Sequence, residues 1–445
     1  MILIVIGFLI ILYSLLNFKK AYFAFLIYQI YWYYLAEIIK VNGIPVITIG
    51  MIMSMWFLIL FLIKKRKYVR TKVKMPYTIP IVLILCSMFI TCFTGLAGFN
   101  YEFSRALSLA VQTYPTIWIS WYLIESEEDF RTLLKGYVII FFIAAIFGLI
   151  EYLLKDNILI GYKSLLKEGG IRVYTLANGR GYRIMSVFEH CIGGGMTFGL
   201  YAAFIFILYI STKKSIPYKT IAIISAALCI PCVILTKMRS AMIFTVICFL
   251  AAVDFKKKKF YKFILLGIVV FIAIVPLIQQ NSDLFLSLFD SNVQKKLGGS
   301  NWTMRLSQLE AVTNLMKMSP IGGLGEKFNE LISNQYTVQA LDYESLWFEQ
   351  MVKHGLVGVF VYLVMIVYSV IIVPRRYKSK ELFIVSSAYW FTYTITSIPS
   401  FRTSFYYFVL FYFIKHSEEY KHIKEVKVKR RLCIHLRRQR NLYGK

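Results

Sequence analysis

Apolar runs long enough to cross a bilayer recur along almost the whole chain, and they constrain its fold more than any single motif. A hydrocarbon core of roughly 30 Å takes about twenty helical residues. Read in order, the runs give about thirteen candidate spans: 1–18, 21–39, 44–63, 77–97, 106–124, 136–154, 186–210, 219–236, 239–253, 261–279, 355–373, 382–398 and 402–414. Hydrophobic residues make up 58% of the 445, aromatics 17%, and the mean hydropathy is +0.63, well above a soluble globular chain. The expected fold is all-α: a polytopic membrane bundle of 12–13 transmembrane helices, with a large extracytoplasmic loop that holds amphipathic helices. The N-terminal "MILIVIGFLIILYSLLNF" has no basic region before its apolar run and no small-residue cleavage site after it, so it reads as a retained first span.

The formal net charge of +28 does not form a basic face on a folded domain. It punctuates the apolar spans, which excludes nucleic acid as a partner. Six of the seven cysteines lie in apolar runs and Cys433 in the basic tail, with neither a disulfide framework nor zinc spacing. Cys229 and Cys232 form a CxxC around Pro231, which reads as small core residues. No metal site and no cofactor are expected.

Short cytoplasmic connections retain Lys and Arg. "KKRKYVRTKVK" (64–74), "KKSIPYK" (213–219), "KKKK" (256–259), "RRYKSK" (375–380) and the tail from Lys415 all fall on one side when the spans alternate. The chain then divides into N-terminal spans (1–154), central spans with an outer Arg-rich segment (155–279), a large extracytoplasmic loop (280–354), C-terminal spans (355–414) and a basic cytoplasmic tail (415–445). Arg105, Arg172, Arg180, Arg183, Arg239, Arg305 and Arg402 fall on the outer side, where the positive-inside tendency gives no reason for them. Guanidinium suits bidentate contact with phosphate and stays charged at an interface; snorkelling or pairing with loop carboxylates is the competing account for Arg105 and Arg402.

In the outer loop, Trp302, Leu306, Leu309, Val312, Leu315 and Met316 recur at helical steps after a candidate cap, Asn301, which predicts a surface helix. Arg305 stands near its start on a face with Gln308 and Leu309, beside backbone amides that favour an anion. "SPIGGLGEKF" stops the helix at Pro320 and turns through Gly322, Gly323 and Gly325; it lacks the Lys-Ser/Thr of a nucleotide loop. Then "LDYESLWFEQMVKHGLVGVFVYL" (341–363) brings Asp342, Glu344, Glu349 and His354 to a span edge, where a carboxylate can take a proton from a hydroxyl. In "GRGYRIMSVFEHCIGGGMTFG" (179–199), Arg180 and Arg183 enter a span that carries Glu189 and His190 in its first turns, a costly placement unless they face a cavity. Gly193, Gly194, Gly195 and Gly199 permit close helix contact.

The order of these segments over roughly residues 180–373 resembles the O-antigen polymerase and O-antigen ligase superfamily of bacterial envelope polysaccharide enzymes. The motifs that carry the resemblance are "RIMSVFEHCIGGG", "KMRSAM", "RLSQLEAVTNLMKMSPIGGLG" and "DYESLWFEQMVKHGLVG". Cys191 stands where that family often has proline, and Tyr343 where it has asparagine. Asp342, rather than a His, ahead of "HGLVG" is closer to the polymerase version.

The resemblance implies a glycosyltransferase at the outer face of the bacterial cytoplasmic membrane. It would move a glycan from undecaprenyl diphosphate to a sugar hydroxyl of another lipid-linked repeat unit, for O-antigen, capsule or exopolysaccharide. Arg183, Arg239 and Arg305 would hold the diphosphate, and Asp342 or Glu344 would serve the acceptor, with Arg180, Glu189, His190 and His354 as additional site residues. The implied partners are the undecaprenyl diphosphate-linked oligosaccharide, membrane lipid, a flippase and a chain-length regulator. A ligase that transfers a finished glycan to another carrier is the alternative within enzymes. A lipid-linked oligosaccharide flippase is a different class; it would commonly show internal repeats and midplane charges, and neither is evident. A scaffold would not account for the outer arginines.

Overall fold

Caps and breakers decide where the apolar runs become helices. The computed structural model describes residues 2–34, 37–39, 47–69, 73–159, 181–211, 216–252, 302–332, 343, 345–396 and 402–426. The chain opens with α1 (Ile2–Leu16) and α2 (Phe18–Tyr28), joined at Asn17, whose side chain accepts from the Lys20 amide at 3.1 Å, a capping bond. A 3₁₀ turn (Gln29–Tyr34) leads to a short antiparallel pair, β1 (Glu37–Ile39) with β2 (Ile47–Thr48). Next come α3 (Ile49–Val69), α4 (Thr78–Thr94), α5 (Phe99–Gln112), α6 (Tyr114–Leu123) and α7 (Glu127–Leu154). Ser126 and Asp129 form a capping box at the start of α7, so this long helix begins in a fixed register.

The central region holds α8 (Cys191–Ser211), α9 (Lys219–Leu235) and α10 (Arg239–Leu250). The remainder comprises α11 (Trp302–Met316), α12 (Phe328–Leu331), α13 (Leu346–Val367), a π turn (Tyr368–Ile372), α14 (Val373–Tyr377), α15 (Lys380–Ile395) and α16 (Thr403–His416). The single span expected over 106–124 is instead two helices. Pro115 stands in the first turn of α6, where its missing amide proton costs nothing, and α5 carries Glu102, Arg105 and Gln112, too polar for lipid. The expected span at 186–210 starts as a helix only at Cys191, because residues 181–190 are non-helical. The span expected at 261–279 lies outside the described residues.

Three helices are long and apolar enough to cross a membrane, Glu127–Leu154, Cys191–Ile210 and Leu346–Tyr377, and five shorter apolar helices accompany them among the described residues. The chain is an all-α membrane protein. The spans differ in position: 94% of the apolar window of Cys191–Ile210 is buried, against 44% for Glu127–Leu154 and 28% for Leu346–Tyr377. A helix hydrophobic all round belongs in the interior, so α8 is central, while α7 and α13 leave apolar faces for lipid. Gly195 and Gly199 let α10 approach α8 so closely that a Cβ at either would meet Ala241 or Thr245 within 3 Å, the small-residue packing expected in a bilayer. α16 is the second central helix, buried from Phe405 through Lys415, with Phe405 against Tyr137 and Phe141 at 4.9 Å between ring centroids.

One end of the bundle is tied by charge. Lys19 pairs with Asp129 at 2.5 Å, His416 with Glu127 at 2.7 Å, Lys424 with Glu125 at 3.0 Å and Lys378 with Glu419 at 2.5 Å. Lys415 donates to the carbonyls of Trp121 and Ile124. The opposite end collects the last turn of α7, the starts of α8 and α10, the turn after α11, and the break in α13. The candidate site lies there.

Candidate functional site

The segment before α8 is held by a carboxylate. Glu151, near the end of α7 and only 1% exposed, accepts from the Tyr182 hydroxyl at 3.0 Å, the Met185 amide at 3.0 Å and the Ser186 amide at 2.6 Å. Ser186 bends the chain with φ +51 and donates from its hydroxyl to the Ala144 carbonyl at 2.6 Å. The Ile184 amide donates to the Leu235 carbonyl at 3.2 Å. Buried polar backbone must be satisfied, and these bonds do so without helix.

Arg183 is thereby set, 8% exposed, with its guanidinium 3.8 Å from the Met238 sulfur and beside the Cys191 thiol. Met238 belongs to the tight turn between α9 and α10, in which Lys237 adopts φ +54 and Arg239 begins α10. Burial, and then the nearby cations Lys155 and Arg183, pull the Lys237 amine below its usual pKa. Arg183, Lys237 and Lys155 thus share one field, with Arg239 at a helix N-terminus next to them, an arrangement suited to an anion. His190 accepts from the Ile192 amide at 3.1 Å through Nδ1 and so caps α8; Glu189 beside it is half-buried.

The second part of the site joins two stretches that are far apart in sequence. α13 breaks at Gly355 (φ +62, ψ −158), a conformation open essentially to glycine alone. The break frees the carbonyls of Val352 and Lys353 and the amides of Leu356 and Val357, which would otherwise bond to each other in the helical i to i−4 pattern. The turn after α11 replaces both bonds. Leu324 and Gly325 donate to Val352 and Lys353 at 2.7 and 3.1 Å, while Pro320 and Ile321 accept from Leu356 and Val357 at 2.9 and 3.3 Å. The glycine-dense turn is therefore a dock for a broken helix. At Gly323 (φ +76) a Cβ would fall 2.3 Å from the Lys353 carbonyl oxygen.

Charges lock this dock. Lys353 reaches Glu326 at 2.9 Å and Glu349 at 2.7 Å. Burial raises the pKa of the Glu326 carboxyl, but the Lys353 charge and hydrogen bond outweigh it and leave the carboxyl below the usual range. Glu102 of α5 accepts from the Glu326 amide at 3.1 Å; burial pushes its carboxyl up, against the pull of that amide. His354 is buried, with Nδ1 2.8 Å from the Thr91 hydroxyl, which also lies 2.9 Å from the Gly322 carbonyl. A hydroxyl has one proton, so with Thr91 donating to Gly322, His354 donates to Thr91.

α11 forms as expected, but its packed face is rotated. Gln308, Ala311, Val312 and Leu315 are buried, whereas Leu306 and Leu309 are 46% and 43% exposed. Arg305, half-buried beside that face, donates from Nη2 to the Ile395 carbonyl at 2.8 Å, at the last turn of α15, where the helix dipole favours a cation. Arg180, Asp342, Glu344 and the cap Asn301 lie outside the described residues. The structure brings Arg183 together with the Arg239 turn and sets Arg305 on the end of α15. It turns His354 inward to Thr91. Sequence reasoning passed over Glu151, Glu326 and Lys353; a lone carboxylate in the apolar "FGLIEYLL" was the available signal for the first.

Residues 224–363 match the family described as O-Antigen ligase (Wzy_C), a stretch that takes in the Lys237–Arg239 turn, α11, the glycine turn and the broken start of α13. No curated protein matches the chain. This match, over the two halves of the dock and the cationic turn beside Arg183, supports the resemblance to the O-antigen ligase and polymerase superfamily.

Proposed function

We propose that the protein is a polysaccharide polymerase that transfers a growing glycan from undecaprenyl diphosphate to a lipid-linked repeat unit at the outer face of the bacterial cytoplasmic membrane. The observation that carries this reading is the cationic cluster of Arg183, Lys237 and Lys155, beside the turn that leads into Arg239, at the edge of the matched domain. In the reaction an acceptor hydroxyl oxygen bonds to the anomeric carbon of the donor, and the bond from that carbon to the diphosphate oxygen breaks. The diphosphate leaves with the electron pair, and the hydroxyl proton passes to Asp342 or Glu344. Negative charge grows on the leaving group, so fixed cations lower the barrier more than they tighten the ground state. Arg183 is held for this by Glu151 through the backbone around it, at no cost of ordering during the reaction. Arg305 would join from the dock side.

The family match favours one second reading, a ligase that moves a finished glycan to a different carrier. Purified protein given lipid-diphosphate-linked repeat units discriminates. A ladder of lengths supports the polymerase; single transfer to a different lipid, without a ladder, supports the ligase; no glycan transfer overturns both. Arg183→Lys, Arg239→Lys and Arg305→Lys keep the charge but lose the planar fork, and each should cut ladder yield about a hundredfold, on the order of 3 kcal/mol in the barrier.

A further inference from the structure

At the charge-tied end of the bundle, a groove of about 230 Å³ lies between the π turn, α14 and the start of α15. Arg375 and Lys378 stand at its rim, and Val370, Ile371, Pro374 and Phe383 form an apolar wall. Both helices present the two kinds of residue in the same order. Ile371 stands one turn further into the bundle than Arg375, and Phe383 one turn further than Ser379, a step of about 5.4 Å. The corner between the helices is fixed. Lys378 takes φ +48, the Ser379 amide donates to the Pro374 carbonyl at 3.2 Å, and the Ser379 hydroxyl accepts from the Leu382 amide at 3.2 Å, which caps α15.

The wall faces the bilayer. Only 28% of the apolar window of Leu346–Tyr377 is buried, and Ile371 and Phe383 are both exposed. The π turn supplies Val370 and Ile371, and such turns are frequent at functional sites. A dry cavity of about 150 Å³ accepts a benzene, so this larger space accepts a length of acyl chain. The rim is cationic: residues 375–381 carry Arg375, Arg376, Lys378 and Lys380 against the one carboxylate of Glu381. Lys378 also pairs with Glu419 at 2.5 Å, but its side chain is 75% exposed. An ion pair in water holds weakly, so a phosphate can share the amine. Arg376 lies apart from the groove, with its guanidinium 5.8 Å from the centroid of the Tyr377 ring.

We propose that this groove binds one anionic phospholipid of the surrounding membrane. The phosphate sits between the Arg375 guanidinium and the Lys378 amine, and the upper part of an acyl chain lies along Val370, Ile371 and Phe383. A free phosphate would leave the apolar wall unused, and a zwitterionic lipid would bring its own cation against the rim. Basic pockets between membrane helices take anionic head groups for this reason, and each Lys or Arg near the surface contributes about fivefold in affinity.

The test is photo-crosslinking of the full-length protein in phosphatidylcholine nanodiscs doped with a trace of diazirine-bearing phosphatidylglycerol or phosphatidylcholine. Labelling is read by mass spectrometry of peptides that cover residues 368–383. Phosphatidylglycerol should label them about tenfold or more above phosphatidylcholine. Arg375→Gln and Lys378→Gln should each lower that labelling about fivefold, and Ile371→Trp, which fills the groove from its wall, should abolish it. Arg376→Gln removes the same charge from outside the groove and should leave labelling within about twofold of wild type. All four positions are exposed, so the unfolding midpoints should stay at the wild-type value; the comparison of the two lipids on the wild type needs no variant. Equal labelling by the two lipids, equal losses in Arg375→Gln and Arg376→Gln, or full labelling in Ile371→Trp overturns the site. Displacement of the lipid by excess glycerol 3-phosphate would make this a site for a free phosphate and overturn it as a lipid site.

Discussion

The Leu324 amide donates to the Val352 carbonyl at 2.7 Å, in the place the Leu356 amide would take in an unbroken helix. The turn and the helix break therefore exist for each other. Neither has its backbone satisfied alone, and an unmet buried amide or carbonyl costs about 1–3 kcal/mol. The polar stretch between apolar runs is retained because it completes the entry of α13 into the bundle.

Gly355→Ala tests this exchange. The substitution forces a side chain into a backbone region reserved for glycine, and its Cβ would lie 2.3 Å from the Ile321 carbonyl oxygen. A loss on the order of 3 kcal/mol is expected, read as a lower unfolding midpoint in detergent. Gly98→Ala, where a Cβ meets nothing within 4 Å, should lose less, by the backbone strain alone. Equal losses at the two positions would show that the dock is not tight.

Lys353 should behave as the clasp of the same dock. Lys353→Met leaves Glu326 and Glu349 facing each other in a partly buried site, and removal of one partner from such a cluster costs about 3 kcal/mol. Adding Glu326→Gln to Lys353→Met should recover part of that loss, because it removes one of the stranded charges. A double variant as unstable as the sum of the singles would mean that the pair is not coupled.

How much of this was legible in the sequence depends on the range of the interaction. Apolar runs and caps are local, so most helices, and the helix over Trp302–Met316, follow from composition and spacing. The rotation of α11 does not: Gln308 is buried while Leu306 and Leu309 are exposed, since a helix at a membrane surface can turn leucines to lipid. The dock was legible only as two glycine-rich motifs. Their reciprocal bonds join residues 320–325 to 352–357, and no periodicity reports such a pairing. Lys415 at the Trp121 and Ile124 carbonyls is a tertiary detail that the run of basic residues in the tail does not contain. The inward turn of His354 depends on Thr91, in another helix, and was equally out of reach.

The cationic cluster predicts a pH signature. Burial and its cationic neighbours depress the Lys237 pKa, so the folded protein releases this proton at a pH where the unfolded chain still holds it. Stability from this group therefore rises with pH, from the depressed value up to the ordinary lysine value near 10.4. Unfolding midpoints measured across that range should rise in the wild type relative to Lys237→Gln. Pyrophosphate, by holding the proton on the amine, should move the rise to higher pH. Parallel curves for the two proteins, with or without pyrophosphate, would remove Lys237 from the anion site.

Glu151 should act on the reaction through the segment it holds. Its carboxylate accepts from Tyr182, Met185 and Ser186, whereas a glutamine in its place offers one oxygen and turns an NH2 group toward donors. Glu151→Gln is expected to cost about 2 kcal/mol of stability and to reduce glycan transfer further than the lost stability explains, because Arg183 moves with the backbone on either side of it. Tyr182→Phe removes a single donor and leaves the two amide bonds, so it should cost less on both measures. Transfer rates for the two variants, taken at a temperature where both are fully folded, separate position from stability. Wild-type transfer in folded Glu151→Gln would show that Arg183 keeps its place without the carboxylate, and would reduce Glu151 to a packing role.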